Sequence, residues 1–148
     1  MSVYSGHYCF AFNGLASGCF TDVEWEVYTR WVELLVLGQC KPPQGFIYLQ
    51  AAPEVCFERA RKRARKGEEA MSLEYVSKIH DWHEKFMITR EGVDRNIAAV
   101  PVLVLDATHD FLEDHDLART YALKVREFML QNAFATKPLT GSRCFVQL

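Results

Sequence analysis

Two short apolar runs, Phe46–Gln50 (FIYLQ) and Val100–Asp106 (VPVLVLD), set the narrowest limits on what this chain can fold into. Both are too short for ordinary helices and rich in β-branched or aromatic residues, so they read as buried strands. Two helical stretches lie between them. A strand, a long helical crossover and a second strand imply a parallel pair in an α/β fold. The unbroken apolar character of the second run predicts cover on both of its faces. Two such strands are too few, because their outer edges would leave backbone groups unpaired. The chain therefore reads as part of a larger parallel sheet with flanking helices.

The remaining pattern is helical. Tyr4, Tyr8, Phe10 and Phe12 form an aromatic opening segment, expected to be helical but broken by Gly6 and Gly14. Thr21 or Asp22 is placed to cap a helix running to about Leu37, with Glu24 in its first turn. Tyr28, Trp31, Val32 and Leu35 on that helix fall at the spacing of a buried stripe. Pro53 suits the first position of the next helix, which carries Cys56, Phe57, Ala60 and Ala64 as its apolar stripe to about Arg65. Lys66-Gly67 breaks it, and Ser72 starts a helix reaching Thr89. Residues 90–99 read as irregular. A last helix over Asp116–Asn132 is expected to pack through Leu117, Tyr121, Leu123, Lys124 and Phe128. Residues 1–132 read as one partial domain, and 133–148 as an irregular tail.

Six of the 17 Lys and Arg residues fall within Arg59–Lys66, in a chain of net charge −2. A local basic cluster in a slightly acidic chain argues against a nucleic-acid footprint, which spreads over a face or a domain. Its position favours phosphate. It ends a helix launched from a buried strand and stops at a Gly-Glu-Glu hinge, as a lid over a charged ligand would. Arginine offers a planar, permanent charge that matches phosphate oxygens. A solvated helix face and a nuclear-targeting patch are the competing readings of the same octamer.

Other candidates are weaker. His80 and His83 lie near Asp81 and Glu84, but H-E-x-x-H is absent and structural or surface roles are favoured over a metal. Asp106 ends a parallel strand, where ligands of α/β folds gather. The five cysteines are odd in number and scattered, which fits reduced, buried thiols. No apolar run is long enough to span a bilayer. No G-x-x-x-x-G-K-[ST] occurs, the loop on which phosphoryl transfer from ATP in P-loop enzymes depends.

Several segments together resemble the deoxynucleoside kinases of the deoxycytidine, deoxyguanosine and mitochondrial thymidine kinase group. They are SVYSGHYCFAFN, GFIYLQAAPEVC, the stretch Arg59–Glu84 with its Leu73-Glu74-Tyr75 triplet and His-x-x-His-Glu ending, and PVLVLDATHDF. The resemblance implies the C-terminal part of a P-loop kinase-like parallel sheet, with the N-terminal strands, the P-loop and the general-base glutamate missing. It implies that Arg59, Arg63 and Arg65 are lid arginines on donor phosphates. Glu68 matches the acidic residue near the deoxyribose hydroxyl, and Asp110 and Phe111 match the loop on the donor base. Gly6 stands where deoxycytidine- and deoxyguanosine-type members place an aspartate on the substrate base, which favours a pyrimidine or broad substrate.

The family reaction is 5′-phosphorylation of a deoxynucleoside by ATP or another NTP with Mg²⁺, in a homodimer. An intracellular location, cytoplasmic or mitochondrial, is implied, with no nucleic acid or membrane partner. For this chain two functions are expected. One is a truncated, catalytically incomplete kinase-family protein. The other is a non-catalytic protein that pairs with a full-length kinase through the dimer helices.

Overall fold

The computed structural model describes residues 2–41, 43–111 and 113–132, so the expected tail lies outside the described residues. The opening segment is helical throughout: α1 (Val3–Ser5), π-helical turns over Gly6–Ala11, then α2 (Phe12–Ala16). Gly6 and Gly14 do not break it. The helix widens at Gly6 instead, and Gly14 lets the Phe20 ring approach to 3.0 Å of where a Cβ would stand. α3 (Asp22–Trp31) starts at Thr21, which accepts from the Glu24 N–H while Glu24 returns a carboxylate to the Thr21 N–H. Further π-helical turns carry it to Leu37. Its expected stripe is a correction: Val32 is buried, but Trp31 is 57% exposed and Leu35 is also exposed. Hydrophobic spacing marked a face there, and among the described residues little covers it.

β1 (Phe46–Gln50) and β2 (Val102–Asp106) pair in parallel, Phe46 opposite Val102 and Gln50 opposite Asp106. The expected α/β architecture is present, among the described residues as one sheet of two strands with flanking helices. The expected cover on both faces is not. Side chains alternate along a strand, and on β2 Leu105 is buried while Val104 is 39% exposed; on β1 Phe46 and Tyr48 are buried while Ile47 and Leu49 are about half exposed.

The crossover holds α4 (Pro53–Arg63), α5 (Leu73–Glu84) with π-helical turns to Thr89, and α6 (Arg95–Ala98). The short α6 corrects the irregular reading of residues 90–99: Asp94 caps it, and Ile97 on it is buried. α7 (His115–Gln131) follows β2. Its half-buried side is Leu117, Tyr121, Val125 and Phe128, while Leu123 and Lys124 face out. No helix among the described residues is long and apolar enough to cross a membrane.

The core lies between the opening helix, the covered face of the sheet and the end of α5. Phe86 is at its centre, stacked on Tyr8 at 4.8 Å and edge-on to Phe46 at 5.4 Å. Arg90 closes one side, donating to the carbonyls of Phe86 and Val100. Burial pushes the Cys9 thiol up to about 12, so it behaves as a small apolar residue. Cys19, Cys40 and Cys56 are exposed, contrary to the expectation of buried thiols, and Cys144 lies outside the described residues.

Candidate functional site: a cleft under a basic helical hairpin

β1 ends at Gln50, and Pro53 opens α4 three residues later. The helix stops at Ala64, which adopts a left-handed conformation (φ 48°) and returns its N–H to the carbonyls of Ala60 and Arg61. Gly67 follows at φ +94°, and Ser72 caps α5 through the Tyr75 N–H. The helix therefore ends one to two residues before the expected Arg65. α4, this tight loop and α5 form a hairpin that encloses a cleft of about 660 Å³.

The cleft is lined by Phe10 from the opening helix, Cys56, Ala60 and Arg63 from α4, Glu68 from the loop, and Tyr75 from α5. Of the apolar stripe expected on α4, Cys56 and Ala60 line this cleft, while Phe57 and Ala64 line the neighbouring hollow. At its wall Arg63 Nη2 lies 2.6 Å from Glu68 Oε2. A neighbouring hollow of about 370 Å³ holds Arg65 and Phe57, with the Arg61 guanidinium 5.8 Å from the Phe57 ring centre. Glu69 accepts the Gly67 N–H at 2.8 Å, which steadies the loop.

Arg59 points elsewhere. Its guanidinium donates to the carbonyls of Ala107 (2.5 Å) and Thr108 (3.0 Å), in the loop after β2. That loop carries Asp110 and Phe111, and the Phe111 ring meets Tyr121 of α7 edge-on. Tyr121 also donates its hydroxyl to the Asp106 carbonyl. The Thr108 hydroxyl and N–H hold the Asp106 carboxyl below its ordinary range, with His109 adding to the effect.

The structure thus brings Arg63 to Glu68 and Arg59 to the 107–111 loop, and places Arg65 in the adjoining hollow. Gly6 is not among the cleft-lining residues, and nothing lies within 4 Å of a Cβ built on it. Sequence reasoning missed Phe10 and Tyr75 as cleft walls; only their aromatic character hinted at it. Glu84, which the sequence placed only beside the two histidines, accepts from Tyr48 and Gln50. Burial first, then the bond to Glu84, pushes the Tyr48 hydroxyl well above its usual range. His83 gives one ring nitrogen to the Ile79 carbonyl. Among the described residues no three His, Cys, Asp or Glu side chains gather as a metal cage.

A family profile described as deoxynucleoside kinase matches residues 1–130. The chain is 37% identical over 132 residues to deoxycytidine kinase of Mus musculus, an alignment covering 86% of this chain and 50% of that protein. It is 41% identical over 118 residues to deoxycytidine kinase 2 of Gallus gallus (76% and 44% covered). It is 39% identical over 114 residues to mitochondrial deoxyguanosine kinase of Xenopus laevis (74% and 43% covered). The chain spans about half the length of the curated relatives it matches. A strand-launched basic hairpin over an aromatic cleft, in a chain matched by the profile over nearly its whole length, belongs to the deoxynucleoside kinase family.

Proposed function

We propose that this chain supplies the lid and donor-base end of a deoxynucleoside kinase site. The reaction transfers the γ-phosphoryl group of ATP or another NTP to the 5′-hydroxyl of a deoxynucleoside. The bond to the β-phosphate oxygen breaks as the bond to the 5′-oxygen forms. The observation that carries this reading is the Arg63–Glu68 pair on the wall of a cleft with an aromatic side, next to the hollow that holds Arg65.

Each residue has a role that its chemistry supports. Arg63 and Arg65 hold phosphate oxygens and offset the charge that spreads over them during transfer, an effect worth roughly 10³–10⁵ in rate for arginines so placed. Glu68 accepts from a deoxyribose hydroxyl once phosphate has taken Arg63 from it. The Phe10 ring gives the nucleoside base a flat apolar surface. Asp110 and Phe111 meet the donor base, and Arg59 holds their loop against α4. Gly6 leaves room on the substrate side, which suits a pyrimidine or broad preference.

Among the described residues no His, Cys, Asp or Glu cluster forms a cage for Mg²⁺. The 148 residues contain no G-x-x-x-x-G-K-[ST], and no residue of this chain is assigned the general-base role. These residues alone are therefore a catalytically incomplete site. Calorimetry with ATP tests the reading. The wild-type chain binds, and the Arg63→Ala, Arg65→Ala double variant loses most of the affinity. With ATP, Mg²⁺ and a panel of deoxynucleosides the chain gives no stoichiometric phosphorylation; turnover would sink the incomplete-site reading.

A second reading, pairing with another copy or with a full-length kinase, is favoured by one observation. Val23, Val27, Trp31 and Leu34 recur at helical spacing along α3 and its continuation, and all are exposed. Co-purification with a full-length relative, lost on placing a charge at Trp31, would support it.

A further inference from the structure

Glu84 does not line the cleft, yet three walls of the site are tied together around it. It ends α5, and its Oε1 accepts from Tyr48 Oη at 2.9 Å and from Gln50 Nε2 at 2.8 Å. His80 Nε2 stands 3.9 Å from the same oxygen. Tyr48 and Gln50 are two apart on β1 and so share the face turned to the helices.

From Gln50 the connection runs to the lid. Its carbonyl accepts from the Ala107 N–H at 2.7 Å, and the Ala107 carbonyl accepts from Arg59 of α4. From Tyr48 it runs to the cleft. The His83 ring stacks parallel to Tyr48 at 6.2 Å, and Phe10 meets His83 edge-on at 6.0 Å. The carboxylate therefore fixes the C-terminal end of a parallel strand, where ligands of such sheets bind. It does so with charge-assisted bonds, the stronger kind.

We infer that Glu84 is a positioning residue: through Tyr48 and Gln50 it holds the end of β1, and with it the separation of Phe10 from the lid that a deoxynucleoside spans. The inference rests on the cleft being the nucleoside site. A purely stabilising role would affect every ligand in proportion to the fraction unfolded. A positioning role affects only a ligand that reaches both walls.

The full chain is titrated by NMR with two probes, alongside thermal melts. Deoxycytidine spans from Phe10 to Glu68, and inorganic tripolyphosphate needs only Arg63 and Arg65. Glu84→Gln weakens deoxycytidine binding by about fivefold, because small misplacements cost affinity steeply, and leaves tripolyphosphate within about twofold. Tyr48→Phe gives a smaller loss of the same kind, and the double variant is no worse than Glu84→Gln, as for residues acting in one network. If Glu84→Gln fails to fold, Tyr48→Phe carries the same comparison. Equal weakening of both probes, or of neither, overturns the positioning role. Wild-type chain that binds tripolyphosphate but not deoxycytidine overturns the nucleoside reading of the cleft, and the inference with it.

Discussion

Phe86 leaves 1% of its surface in water and touches both Tyr8 and Phe46 through their rings. Phe86→Ala should cost about 3–5 kcal/mol, read from the denaturant midpoint, because the rigid rings around it cannot collapse into the space. Where Arg59 points was not legible in the sequence. Its partners, the carbonyls of Ala107 and Thr108, lie far along the chain and follow from strand pairing rather than local pattern. Asp106 gives a pH test at the same scale. Its carboxyl is held below the ordinary range in the folded state, so its contribution is present at neutral pH and lost as pH falls through the folded-state value. Thr108→Val removes the hydroxyl, and the Asp106 inflection in an NMR titration should move up toward the usual carboxylate range.

At the scale of elements, the capped helices and both strands follow from residues that act locally: Thr21 with Glu24, Pro53, Ser72, and the two apolar runs. The misreadings have physical causes. Gly6 has the character of a helix breaker, but a wide π-helical turn accommodates it with its backbone still in the right-handed helical region. The stripe on α4 has true helical spacing, and periodicity cannot say whether such a face meets a core or an open cleft. The end of α4 also carries strain, since Ala64 sits at a positive φ where glycine is preferred. Ala64→Gly should stabilise that end by roughly 1 kcal/mol, seen as slower hydrogen exchange in the last turn of α4.

Over the whole molecule, apolar surface remains on two sides. Ile47, Leu49 and Val104 are exposed on the strands, and Val23, Val27, Trp31 and Leu34 line α3 and its continuation. Isolated exposed leucines mean little, but contiguous apolar rows invite association. The chain should therefore sediment as a concentration-dependent oligomer, and Trp31→Glu should shift it toward monomer. Marginal stability is expected for the same reason, and a sharp cooperative melt of a soluble monomer would count against it. The resemblance at sequence level extended to the family because the lid, the strand-to-helix join and the last strand are each local motifs. How the walls of the cleft meet was hidden, since Phe10, Glu68 and Tyr75 converge only through the crossover.

The proposed role of the basic hairpin is that of a phosphate-binding lid beside a nucleoside cleft. NMR shift mapping of the full chain tests it most directly, with ATP added first and deoxycytidine second. ATP should move the resonances of Arg63, Arg65, Glu68 and the 107–111 loop, and deoxycytidine should then move those of Phe10 and Tyr75. Shifts that avoid the hairpin, or none at saturating ATP, would contradict it.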